Sequence, residues 1–125
     1  MVHVALTAAL VLFAVLGIFQ VLVALGLPYG RFVWGGQHRR LPPKLRVGSL
    51  IAVLLYVGFA ALLSSRAGVL PGGESPVVRV LTWVLFAYLV IGVGMNAISR
   101  SPSERWTMTP TTVVLALATL VIALN

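Results

Sequence analysis

The chain has 125 residues, of which 60% are hydrophobic and only 9% charged, and its mean hydropathy is +1.08. Soluble domains are about a quarter charged, so this chain has too little charge to cover a surface that faces water. Nine Lys and Arg against two Asp and Glu give a net charge of +7. Because most of these bases fall in one loop, they indicate membrane headgroups as the partner and no nucleic acid. The absence of cysteine excludes disulfides and thiol chemistry.

Four apolar segments are each long enough to cross a hydrocarbon core of about 30 Å. We predict transmembrane helices at residues 4–27, 43–65, 76–99 and 107–124. The first segment has no basic region before it and is longer than the core of a signal peptide, so we interpret it as a retained helix. The predicted fold class is all-α: one domain that forms an integral membrane four-helix bundle.

The loop at residues 28–46 holds five of the nine basic residues. These are Arg31, Arg39, Arg40, Lys44 and Arg46. The third loop adds Arg100 and Arg105, whereas the second carries Arg66 and Arg79. Cytoplasmic loops carry an excess of Lys and Arg, so we predict that the first and third loops are cytoplasmic and that both termini are extracytoplasmic.

Residues 101–104 have the form of a capping box, with Ser101 at the N-cap, Pro102 at the first helical position and Glu104 at the third. This pattern predicts a short interfacial turn before the last span, which Pro110 then starts or kinks. We interpret Glu104 as a helix cap and as the partner of an adjacent arginine rather than as a catalytic base.

Three small residues, Ala60, Ser64 and Gly68, recur at every fourth position along the second span. Such a line allows two helices to approach closely and favours a homo-oligomer or a larger membrane complex. An alanine-rich helix also produces such a line by chance.

Four segments resemble a group of small bacterial four-span membrane proteins to which no function is assigned. They are LGLPYG at 25–30, GGQHRRLPPKLR at 35–46, MNAISRS at 95–101 and MTP at 108–110. The resemblance covers about a third of the chain, mainly the two basic loops and the adjoining helix ends. It implies a protein of the bacterial cytoplasmic (inner) membrane, and it supplies no catalytic residue.

The candidate ligand-binding residues are polar and lie toward the leaflet with the basic loops. They are Gln20, Arg31, His38, Arg46, Asn96, Arg100 and Arg105. We expect Gln20 and Asn96 to hydrogen-bond each other. That pair either fastens the first and third helices together or forms the floor of a pocket for an anionic headgroup, with arginines at its mouth.

No familiar catalytic constellation is present, and we expect no metal and no cofactor. The first function hypothesis is a non-enzymatic accessory or lipid-interacting protein whose basic loop meets anionic lipid. The alternatives are a small oligomeric transporter or channel and, third, a membrane enzyme that acts on a phosphorylated lipid. The two acids fall in different loops, so they cannot form a carboxylate pair. No acid lies within a span and the bases within spans lie near the span ends, which argues against a proton-coupled carrier.

Overall fold

The computed structural model describes all residues 1–125 and contains four α-helices and no strand. The helices are α1 (Val2–Ala24), α2 (Pro43–Arg66), α3 (Pro76–Ala97) and α4 (Pro102–Ala123). Two short 3₁₀ turns, Gly30–Phe32 and Trp34–Gly36, lie between α1 and α2. The predicted all-α class with four helices is confirmed, and each α-helix is long and apolar enough to cross a membrane.

Proline marks the start of three of these helices, because its missing N–H would have no partner there. Pro43, Pro76 and Pro102 each occupy the first turn of their helix. Ser101 caps α4 as the sequence predicts, since its Oγ accepts a hydrogen bond from the N–H of Glu104 at 3.3 Å.

The helices pack in the order α2, α1, α4, α3, since α1 packs against α2 and α4 and α3 packs on α4, and a smaller contact joins α2 to α3. The main core lies toward the end opposite the basic loop and contains residues of all four helices, among them Ala9, Leu63, Leu85 and Ile122. Only 24 of the 125 residues are buried, and large side chains such as Ile91 point outward. Such a surface suits lipid as the solvent.

The last helix differs from its predicted form. It begins at Pro102 rather than at residue 107 and continues through Pro110 without a break. The Ser101 cap allows the earlier start. Thr111 and Thr112, which follow Pro110, donate hydroxyl hydrogen bonds to the carbonyls of Thr107 and Met108 in the preceding turn.

The line of small residues on α2 is not a continuous helix seam. Ser64 is buried inside the single chain, and α2 ends at Arg66, so Gly68 lies beyond the helix. Gly68 has φ +88 and its N–H donates to the carbonyl of Ser65 at 3.0 Å, as in a left-handed helix cap. The spacing that suggested an oligomer is therefore explained in part by helix termination.

Candidate functional site: a polar cavity under the loop between α1 and α2

The basic loop folds into an ordered structure that closes one end of the bundle; we call residues 25–42 the cap. The N–H of Gly30 donates to the carbonyl of Arg39 at 2.8 Å and ties the two sides of the cap together. Val33 and Leu41 of the cap form a small apolar cluster with Val23 of α1. Three of the five bases, Arg31, Arg39 and Arg40, are thus carried by the folded cap, and Lys44 and Arg46 lie in the first turn of α2.

Trp34 fixes the cap to α2. Its indole N–H donates to Ser49 Oγ at 3.1 Å, and its ring lies against Gly48, where an added Cβ would come within 2.8 Å of the ring. Trp34 adopts φ +52, a left-handed conformation that is uncommon outside glycine. The surrounding contacts therefore hold this residue in a strained conformation, as is frequent at functional sites.

Two hydrogen bonds fix the cap to the start of α4. Ser101 Oγ donates to the carbonyl of Arg31 at 2.5 Å, and the N–H of Gly35 donates to Glu104 Oε2 at 3.0 Å. The Glu104 carboxylate therefore does not complete the capping box, and the N–H of Ser101 donates instead to Ser99 Oγ. The Glu104 side chain at the start of α4 therefore binds the cap, which lies about 70 residues earlier in the sequence.

A cavity of about 470 Å³ lies beneath the cap, between the four helices. Its volume is within the range of small-molecule sites in proteins. The polar side chains that line it are Gln20, Tyr56, Tyr88, Asn96, Glu104 and Thr112. The bundle is therefore densely packed at one end and hollow, with polar walls, at the other.

The predicted hydrogen bond between Gln20 and Asn96 is not formed. Asn96 donates through Nδ2 to Thr112 Oγ1 of α4 at 3.0 Å. Gln20 is 9% exposed, and its Oε1 has no hydrogen-bond partner in the protein. The two amides nevertheless line the same cavity, where Gln20 Oε1 is buried without a hydrogen-bond donor.

Glu104 is the second unusual group in this cavity. It is 8% exposed, and no Lys, Arg or His lies within ion-pair distance of it, since Glu74–Arg79 is the one salt bridge in the chain. The expected pairing with an adjacent arginine is therefore wrong. Arg100 is exposed, and Arg105 donates to the carbonyl of Ser99 at 3.0 Å.

The predicted basic residues of the site lie elsewhere. Arg31 is exposed and lies over the ring of Phe32, 4.9 Å from its centroid. Arg46 is half-buried and donates through Nε to the carbonyl of Leu41 at 2.7 Å. His38 is exposed. No basic side chain, including Arg100 and Arg105, lines the cavity, so the structure does not join arginines and amides in one pocket.

A larger groove of about 570 Å³ runs between α1 and α2 on the outer surface of the bundle. Its walls are almost entirely apolar and include Gly17, Val53 and Ala60. In a membrane such a groove accommodates an acyl chain or another apolar helix, and it contains no group that would select a polar ligand.

The polar cavity offers groups that can bind a polar ligand. It contains a carboxylate, amides and phenols but no nucleophile with a neighbouring base, and the chain has no cluster of three or more His, Cys, Asp or Glu that could hold a metal. Glu104, Trp34 and the two tyrosines were missed as site residues because each lies in a different element. Comparison of the chain with known protein families, characterised proteins and solved structures gave no match.

Proposed function

We propose that this chain is a non-enzymatic protein of the bacterial inner membrane whose basic end binds anionic lipid headgroups. The basic end consists of the cap, the first turn of α2 and the link between α3 and α4. The observation that carries the proposal is an excess of exposed bases at this end: Arg31, Arg39, Arg40, Lys44 and Arg100. The acid at the same end, Glu104, is buried, whereas Glu74 lies at the other end and pairs with Arg79.

The order of the cap strengthens this proposal. Each Lys or Arg near an anionic leaflet contributes about 1 kcal/mol. A folded platform presents these charges together and reduces the ordering cost that a flexible loop would incur on binding. Tyr29 and Trp34 are partly exposed on the same platform, where aromatic rings favour the headgroup layer.

The orientation is tested by labelling single cysteines, because the chain has none of its own. We expect Leu70→Cys, in the link between α2 and α3, to react with a membrane-impermeant maleimide in intact cells. Gln37→Cys in the cap should react only after the membrane is permeabilised. Both positions are exposed, so access to the reagent decides the outcome. The reverse pattern, or equal labelling of both, would refute a cytoplasmic basic end.

Lipid selectivity is tested with the triple variant Arg39→Gln, Arg40→Gln, Lys44→Gln. Three bases at about 1 kcal/mol each predict that the preference for phosphatidylglycerol over phosphatidylethanolamine falls at least about tenfold. Native mass spectrometry of the protein from mixed micelles measures this preference. The side chains of these residues make no hydrogen bond within the chain, so the bundle should stay intact.

The matched control is Arg39→Lys with Arg40→Lys, which keeps the charge and should keep the preference. Parental selectivity in the triple glutamine variant would rule out the basic end as the lipid-binding surface. Labelling of Gln37→Cys in the same background shows whether orientation has changed.

A further inference from the structure

The cavity beneath the cap is rich in acceptors and has no positive charge. The Oε1 of Gln20 is buried without a partner, and Glu104 receives only the single N–H of Gly35. No Lys, Arg or His lines the space. A ligand that satisfies both groups therefore needs hydrogen-bond donors and a positive charge.

Aromatic rings surround these acceptors. Trp34, Tyr56 and Tyr88 line the cavity together with Phe19 and Phe32. The faces of such rings attract cations and also pack against hydrocarbon. An anion would instead meet the Glu104 carboxylate with no base to offset it.

The cavity is not a sign of general loose packing. The core at the opposite end contains residues such as Ala9 and Leu63 that are completely buried. The cap, by contrast, is held above the cavity by side chains from α2 and α4. The space is therefore a built feature of this end of the bundle.

We propose that this cavity binds a small organic ammonium ion, with its N–H groups on Gln20 Oε1 and the Glu104 carboxylate and its hydrocarbon part against the aromatic rings. A primary ammonium supplies N–H donors for both acceptor groups, and its positive charge offsets that of the Glu104 carboxylate. This site is independent of the lipid-binding surface, whose charged side chains lie on the outside of the basic end.

The test uses three probes that share a phenethyl stem and differ in charge. They are phenethylammonium, the neutral 2-phenylethanol and the anionic 3-phenylpropanoate. Isothermal titration of the purified full-length protein measures their binding. We expect phenethylammonium to bind at least about tenfold more tightly than the alcohol, because hydrogen bonds to charged groups are the stronger ones. The carboxylate should not bind.

Two variants locate the site. Glu104→Gln keeps an acceptor for the N–H of Gly35 but removes the charge, and should weaken phenethylammonium binding about tenfold or more while leaving 2-phenylethanol unchanged. Gln20→Met removes the acceptor that has no partner, together with the contact between the Gln20 amide and the Tyr56 hydroxyl, and should also weaken the ammonium probe. Glu74→Gln, which alters the other acid of the chain at the far end, should have no effect.

A single-tryptophan protein makes the location visible. Trp83→Phe with Trp106→Phe leaves Trp34 as the sole tryptophan, and its emission should change with the same saturation curve as the titration. Equal affinity for the ammonium and the alcohol, tighter binding of the carboxylate, or parental affinity in Gln20→Met would each overturn the proposal. If Glu104→Gln releases the cap, Gln20→Met still decides the outcome.

Discussion

Replacing Gly36 by alanine is expected to detach the cap from α4 while leaving the four helices intact. A Cβ at this position would lie 2.4 Å from Ser101 Cβ and 2.9 Å from the carbonyl oxygen of Arg31. Gly36 also has φ +71, where a side chain costs about 1–2 kcal/mol. Overpacking adds about 1–3 kcal/mol, so the closed state of the cap is destabilised by about 2–5 kcal/mol in total.

The effect is local, so the measurement must be local too. The amide of Gly35, which donates to Glu104, should exchange its hydrogen at least about thirtyfold faster in the Gly36→Ala variant. Emission of Trp34 in the single-tryptophan background should move to longer wavelength as the ring leaves Gly48. Circular dichroism should retain the helical signal.

Gly35→Ala is the matched control. This residue has φ +74, nearly the same as Gly36, but an added Cβ would meet no atom within 4 Å. Gly35→Ala therefore has the conformational cost without the clash. Its effect on the free energy that holds the cap closed should be smaller than that of Gly36→Ala by about 1–3 kcal/mol, the cost of overpacking. Equal effects at the two glycines would show that the close approach to Ser101 does not hold the cap.

Replacing Ala9 by leucine is expected to destabilise the whole bundle by about 3 kcal/mol, at the upper end of overpacking effects. Ala9 is 0% exposed and lies in the core that all four helices share. Membrane helices have little hydrophobic driving force between them, so close packing at small residues carries much of the stability. Unfolding by SDS titration in mixed micelles measures the loss.

Ala14→Leu is the control for this substitution, because Ala14 is exposed on the same helix. It adds the same atoms toward the lipid side and should change the free energy of unfolding little. If Ala9→Leu were as stable as Ala14→Leu, the core at the far end would have to be loosely packed.

The sequence predicts what depends on local or compositional physics. The lengths of the four apolar segments are enough to place the four helices. Ser101 followed by Pro102 marks the start of α4, because the N-cap and the proline both act within one helical turn. The predicted N-cap of α4 at Ser101 is observed. Orientation rests on the distribution of bases among the loops and stays a prediction.

Features that join distant segments were not predictable in the same way. The Glu104 carboxylate has the spacing of a capping box, yet it binds the N–H of Gly35 because the cap lies directly above it. Asn96 likewise bonds Thr112 of the adjoining helix rather than Gln20. Sequence spacing identifies which polar groups share a leaflet, but the packing of the helices decides which of them meet.

The attachment of the cap to α4 has a consequence for biogenesis. Its two hydrogen bonds join residues 69 and 70 positions apart, so neither can form until α4 has been made. At about 5–20 residues per second, that interval is roughly 4–14 s. During it the first hairpin exposes residues 25–42 without their partner on α4, and a protease on that face of the membrane could cleave them. Arrival of α4 closes the segment, so resistance to cleavage there would report that the last helix has been inserted.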